Sequence, residues 1–213
     1  SSAASDVYKR QIQGIREAER DMVYDKFSSK EHEILTGVVT RVDPKSGAAN
    51  LRINSSSEYT EAFLAPGEQV RGEAIREGDR LRVYVVEVRR STRGPQVLIS
   101  RTHPGLVKRL FELEIPEIYD GTVEVKSIAR EAGSRTKIAV WSGDENVDPI
   151  GACVGPGGAR VNNIVEELHG EKVDIIKYSE DPAQYIAAAL SPADVLSVDL
   201  LPDGKACRVV VPD

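Results

Sequence analysis

At 213 residues, 40% hydrophobic and 29% charged, the chain has the composition of an ordinary globular protein and can hold two or three small domains. No apolar run approaches the ~20 residues that a membrane-spanning helix needs, and a formal charge of −6 argues against a non-specific polyanion binder. Two cysteines and three histidines (His32, His103 and His169) are scattered without metal-ligand spacing, which argues against a structural metal and for a reduced, cytoplasmic chain.

In chain order, residues 1–11 read as a non-native leader. The run Asp6-Val7-Tyr8-Lys9-Arg10-Gln11 looks like a translated transposon end, and the chain starts without methionine. Residues 12–30 predict a connecting helix, with Ile12, Ile15, Ala18, Met22 and Val23 as a rough stripe among charges. Residues 31–103 predict an all-β unit of five short strands: Ile34–Val42, one around Leu51 and Ile53, Tyr59–Leu64, Arg80–Arg90 and Gln96–Ser100. Their turns are marked by Asp43-Pro44, Pro66-Gly67, Gly78-Asp79 and Gly94-Pro95. Five strands in such a span fit a small OB-type barrel. Tyr59, Phe63 and Tyr84 are the rings available to stack on bases, although Phe63, between Ala62 and Leu64, is expected to fill the core.

Charge is unevenly placed. Between Arg80 and Arg109 eight basic residues face the single acid Glu87. Such a stretch predicts an anion site through Arg89, Arg90, Arg93 and Arg101, with a solvated, charge-guarded strand edge as the alternative.

Residues 104–180 begin with a helix whose apolar face is read as Leu106, Leu110 and Leu113. A hairpin follows, with Val123, Val125 and Ile128 on one side, a turn at Ala132-Gly133-Ser134 and a return strand through Ile138 and Val140. Asp148 and Pro149 then open a short helix, the stripe Val161, Ile164, Val165 and Leu168 marks another, and Val173–Tyr178 predicts a last strand.

Between those two helices lies Val154-Gly155-Pro156-Gly157-Gly158-Ala159-Arg160, a G-x-x-G tetrad. Glycines let a polyanion backbone approach without a Cβ in the way, and the start of the next helix aims N–H groups at phosphate. The plainer alternative is a tight turn that only needs positive φ. Two rival phosphate motifs fail: a P-loop needs Lys and Ser or Thr where Ala159 and Arg160 stand, and a dinucleotide fingerprint needs glycine at position 160. The order α-β-β-α-α-β with this loop is the type II arrangement of a KH domain, which clamps about four nucleotides of single-stranded nucleic acid. RNA-binding contacts are therefore expected at Val154, Gly155, Pro156, Gly157, Gly158 and Arg160. Ile150 and Val161 are candidates for apolar contact with bases, Val161 more naturally as core. Residues 181–213 repeat the α-β-β half, with Asp181-Pro182 capping a helix and a hairpin around Pro202-Asp203-Gly204, so a truncated second KH domain is expected.

Several long runs resemble the NusA family of bacterial transcription elongation and termination factors. They are Gly78–Val86, Thr92–Gln96, Ser100–Phe111, Glu114–Gly121, Ala129–Arg135 and Asp148–Gly155, and the likeness extends from about Ile12 to Asp213. The resemblance implies an S1-type OB barrel followed by two KH domains packed as one RNA-binding unit, and a monomer without cofactor or catalysis. It also implies binding to nascent single-stranded RNA and to RNA polymerase, with the main polymerase-docking domain outside this chain, and effects on pausing, termination and antitermination. The family usually carries Lys or Arg at the position of Gly157. A competing reading is the S1/KH cap subunit of an RNA-degrading complex.

Overall fold

The computed structural model describes residues 2–55 and 58–213, the side chains of residues 54–59 excepted. The chain divides into two compact units, Ser1–Leu106 and Val107–Asp213.

The first unit opens with α1 (Ser2–Ser28), which continues without a break through the segment read as a leader. Of its predicted stripe only Val23 docks on the barrel core, while Ile15 and Met22 are 59% and 73% exposed. Contact is made in the last turns, where Phe27 is buried and Val23 and Tyr24 pack against the barrel core. A charged helix has too few apolar side chains to bury along its whole length, so it docks only where three of them cluster.

Five strands follow: β1 (Ile34–Val42), β2 (Ala49–Ser55), β3 (Glu58–Leu64), β4 (Arg80–Arg89) and β5 (Gln96–Ser100). They close into a barrel in the order β1-β2-β3-β5-β4. Closure rests on a short parallel pairing of β3 with β5 at Ala62 and Phe63, while the other pairs are antiparallel. Every strand of the barrel thus has a neighbour on both sides, although β3 meets β5 over only two residues. Alternation points Leu51, Ile53, Ala62, Leu64, Leu81, Val83, Val85, Val97 and Ile99 inward. On β4 the inward series skips from Val85 to Val88, because the ladder to β5 shifts between Val85 and Glu87 and the extra residue swaps faces. Gly37 lies tight against β2: a Cβ there would sit 3.1 Å from Leu51, which would have to give by a few tenths of an ångström.

In the second unit α2 (Pro104–Glu114), whose first turn lies in unit one, leads through α3 (Pro116–Tyr119) into a sheet ordered β6 (Val123–Glu131), β7 (Arg135–Ser142), β8 (Lys172–Lys177). β6 and β7 run antiparallel, β7 and β8 parallel. The helices α4 (Pro149–Val154) and α5 (Ala159–Glu167) form the crossover between the parallel strands. The buried face of α2 is Leu106, Val107, Leu110 and Phe111; Leu113, predicted inside, is 61% exposed. An i, i+1, i+4, i+5 stripe is as helical as i, i+4, i+7, and Phe111 offers more apolar area than Leu113. On β6 the predicted trio Val123, Val125 and Ile128 has an odd spacing. The ladder to β7 shifts between Val125 and Ser127, which inserts Lys126 as an extra residue and brings Ile128 back to the face of Val125.

The hairpin and the entry to β8 are tied by a buried ion pair. Glu171 accepts from Arg130 Nε at both carboxylate oxygens (3.3 and 3.1 Å) and from Nη2 (3.1 Å), and also from the Gly133 amide (2.7 Å) and the Thr136 hydroxyl (2.7 Å). Both side chains are essentially sealed from solvent. Burying two charges is tolerable only because all of these bonds are made. The chain ends in α6 (Pro182–Ala189), capped by Asp181 as predicted, and a hairpin of β9 (Ser197–Leu200) and β10 (Cys207–Val210). Leu196, Leu200, Leu201, Val210 and Val211 of this last pair stay 41–68% exposed.

Candidate nucleic-acid interface

The glycine loop is built by local chemistry. Asp148 caps α4, its Oδ1 accepting from the Ile150 amide at 3.1 Å, and Pro149 fills the first helical position with no N–H to waste. After six residues α4 stops at Gly155 (φ 74°, ψ 172°), a conformation closed to residues with a Cβ. A single 3₁₀ turn, Pro156–Gly158, carries Gly157 (φ 61°) and Gly158 (φ 77°) in left-handed conformation, and α5 starts at Ala159 without a side-chain cap. The Ala159 amide donates to the Pro156 carbonyl, and the amides that follow it at the start of the helix have no i−4 partner within α5.

The three glycines do different things. A Cβ on Gly155 would meet Arg160 Cγ at 2.6 Å, so the arginine stem lies across that glycine. At Gly157 a Cβ would meet nothing within 4 Å, so this corner of the loop is open. Pro156 and Gly157 are exposed, and Val154, Gly158 and Ile150 are half-buried. Val161 is half-buried too, whereas Ile164 and Leu168 of the same stripe are core.

Arg160 is partly committed. Its Nη1 donates to Glu117 Oε2 and to the Ala152 carbonyl, both at 2.8 Å. Those bonds hold the guanidinium beside the loop through Nη1 alone. They also set the Glu117 carboxylate beside the guanidinium. Asn163 on the next turn donates to Glu114 at 2.7 Å, a second link from α5 to the preceding helices.

Beneath the loop lies Cys153, whose thiol is pushed up to about 12 by burial first, then by the Glu117 charge, with Arg160 pulling the other way. A thiol so shielded holds almost no thiolate near neutral pH. An alkylating reagent at pH 8 is expected to label only Cys207, which is half-exposed, and to reach Cys153 only after unfolding. Rapid labelling of both in the native protein would contradict this burial. The raised value also means that the unfolded chain ionises first, so this thiol's contribution to stability is intact below pH ~9 and is lost as pH rises from there towards 12.

The barrel's predicted anion track changes in composition. Arg101 is fully buried: Nε and Nη2 grip Glu73 at 3.1 and 2.6 Å and Nη1 donates to the Arg82 carbonyl at 2.8 Å. It holds the barrel's loop in place and cannot meet RNA. Arg90 bonds Asp21 at 2.8 Å and lies 4.1 Å over the Tyr24 ring, which fastens α1 to the barrel. Arg89 pairs with Glu87 at 2.9 Å. Arg93 is exposed and borders an open cleft with Phe63, Pro95 and Gln96. Phe63 thus points outward while Ala62 and Leu64 point in, opposite to the sequence expectation, because strand alternation leaves only every second position inside. Tyr84 is buried against His103, with rings 4.4 Å apart, and bonds His32 at 2.9 Å, so it offers no stacking face. The Tyr59 side chain lies outside the described residues. Among the described residues no group of three His, Cys, Asp or Glu is placed to hold a metal ion, and no helix is long and apolar enough to cross a membrane.

A closed five-stranded barrel of OB type and a helix-glycine-helix beside a three-stranded sheet define the class: a chain with an OB-like domain and a KH domain. Residues 101–178 match the NusA-like first KH domain. The chain is 52% identical over 201 residues to the transcription termination/antitermination protein NusA of Halalkalibacterium halodurans, which covers 94% of the chain and 51% of that protein. It is equally close to NusA of Bacillus subtilis (52%, covering 94% and 53%) and 44% identical to NusA of Thermus thermophilus (98% and 53%). The sequence is therefore NusA-like along nearly its whole length, and it spans about half the length of these curated relatives. A solved multidomain protein with nucleic acid binding domains from Streptococcus pneumoniae aligns only at TM-score 0.28 and 12% identity, over 67% of this chain and 43% of that one, too slight a likeness to carry an argument.

The position of Gly157 yields a directed test. The corner has room for a side chain, and one residue in left-handed conformation costs roughly 1 kcal/mol of stability. Gly157→Lys is expected to tighten binding to single-stranded RNA and to steepen its log–log salt dependence by about 0.7. A salt slope identical to that of the parent would mean that no phosphate passes this corner.

Proposed function

We propose that this chain binds single-stranded RNA through the loop at Gly155–Arg160 and serves transcription termination and antitermination, as its relatives are named for. The reading rests above all on one observation: Gly155, Gly157 and Gly158, all at positive φ, open a gap between α4 and α5 within the stretch that matches the NusA-like first KH domain. The RNA backbone runs over Gly157 and Gly158, the first amides of α5 and the remaining N–H groups of Arg160 meet phosphates, and Val154 and Ile150 contact splayed bases. Arg93, exposed at its cleft, offers a separate contact for an anion on the barrel, and Arg89 is a further candidate although it pairs with Glu87. The role is binding, not catalysis, in a cytoplasmic monomer, with RNA polymerase as the protein partner that the NusA resemblance implies.

The finer architecture belongs to the same proposal. Residues 31–103 are an S1-type barrel and 104–180 a type II KH domain, a reading supported by the order α-β-β-α-α-β with β7 and β8 parallel. Residues 181–213 form the α-β-β half of a second KH domain, a reading supported by the order α6-β9-β10, which repeats that of α2, β6 and β7. The test is fluorescence anisotropy with a labelled single-stranded RNA and the same sequence as a duplex. Binding of the single strand well above the duplex is expected, and equal or stronger binding of the duplex would refute the clamp.

A further inference from the structure

We infer that Trp141, Lys126 and Tyr178 form a second station for an RNA base, separate from the glycine loop. The inference rests on the reading of the chain as a single-stranded RNA binder. Alternation along β7 puts Trp141 on the face it shares with Lys137 and Ala139, opposite Ile138 and Val140. On that face Lys137 donates to the Ala189 carbonyl, and to the Ser191 carbonyl at 2.9 Å, so the end of α6 lies along it. Trp141 remains 39% exposed.

The bulge in β6 aims Lys126 at this spot. Its Nζ lies 4.9 Å from the Trp141 ring centroid and 5.8 Å from that of Tyr178, within the reach of a cation–π contact. The hydrogen bond that Lys126 donates to Glu124 raises the lysine's pKa and keeps it charged. Tyr178 is braced edge-on by Tyr185 at 5.2 Å. An open cleft of about 520 Å³ is lined by Trp141, Tyr178, Lys177, Ser179, Glu180 and Gln184. Ser179 donates to the Gln184 carbonyl oxygen at 3.2 Å, which leaves the amide's N–H groups for the edge of a base.

Charge decides what this cleft takes. Lys126 is matched by Glu124, and Lys177 stands beside Glu180, so the cleft is close to neutral and poorly suited to a phosphate. Two rings, a cation and a polar rim suit the flat face of a nucleobase, held by stacking with little salt dependence.

Trp141 is the only tryptophan in the chain, so its emission reports on this site alone. A short oligoadenylate titrated into the full chain should quench it saturably. In the Gly157→Asp/Gly158→Asp variant the quench should persist at higher RNA concentration, with a shallower salt dependence. Tyr178→Ala should weaken oligoadenylate binding by about tenfold. If anisotropy reports bound RNA while Trp141 emission is unchanged, this station is refuted and the loop reading survives. If neither signal moves, the RNA reading itself falls. Quenching by RNA polymerase but not by RNA would make the face a protein contact and overturn the inference.

Discussion

Gly157→Asp together with Gly158→Asp should lower affinity for single-stranded RNA about 100-fold. Each carboxylate placed roughly 4 Å from a phosphate, near water's dielectric, opposes binding by about 1 kcal/mol, and partial exclusion of water by the bound strand raises this. Two of them, with the loss of close backbone approach, reach the roughly 3 kcal/mol that a 100-fold change needs. The fold should tolerate the change. Both positions are at the surface side of the loop, and Asp visits left-handed conformation at a modest cost of about 1 kcal/mol each. The paired control is Gly157→Asn/Gly158→Asn, which imposes similar backbone strain and bulk without charge and should bind more tightly than the aspartate variant. If the aspartate variant keeps parental affinity with an unchanged circular dichroism spectrum, phosphates do not pass this loop.

Arg101→Ala should destabilise the chain by about 3–5 kcal/mol and leave RNA affinity of the folded protein unchanged. The guanidinium is wholly buried and Glu73 nearly so, at 0% and 4% side-chain exposure. Removing the arginine strands a buried carboxylate and the Arg82 carbonyl, and an uncompensated buried charge is among the most destabilising changes known for a single site. Domains have only about 5–15 kcal/mol to lose, so the urea midpoint should drop steeply. Removing both partners, in Arg101→Met/Glu73→Leu, should recover most of that loss, since an apolar pair of similar volume carries no desolvation penalty. A loss under about 1 kcal/mol for Arg101→Ala would show that the pair contributes little and that water reaches the site.

The contrast between these two sites reflects what a sequence can carry. Local chemistry was legible. Asp148-Pro149 and Asp181-Pro182 name their helix starts, and alternating Val, Ile and Leu name the five barrel strands to within a residue or a few. The three glycines name a turn that needs positive φ. Pairings across long separations were not legible. Nothing in the order of residues links Arg101 to Glu73, Arg90 to Asp21 or Arg130 to Glu171, because a charge's partner is set by tertiary packing. Four arginines thus looked like one anion track, although one is core and another fastens a helix. Faces were legible only where the period was unbroken. The ladder shifts at Val85–Glu87 and Val125–Ser127 exchange inside for outside by one residue each. In α2, a stripe counted on leucines chose Leu113 over Val107 and Phe111. Glu117, which holds Arg160 beside the loop, carried no signal beyond being one acid among many.

The most direct measurement is a ¹⁵N–¹H correlation spectrum of the full chain, recorded as a short single-stranded RNA is added at moderate salt. The account predicts that the amides of Gly155, Gly157, Gly158, Ala159 and Arg160 shift most among those of the loop and its flanking helices, in step with saturation. Saturable binding that leaves those five resonances in place, while others move, would contradict it.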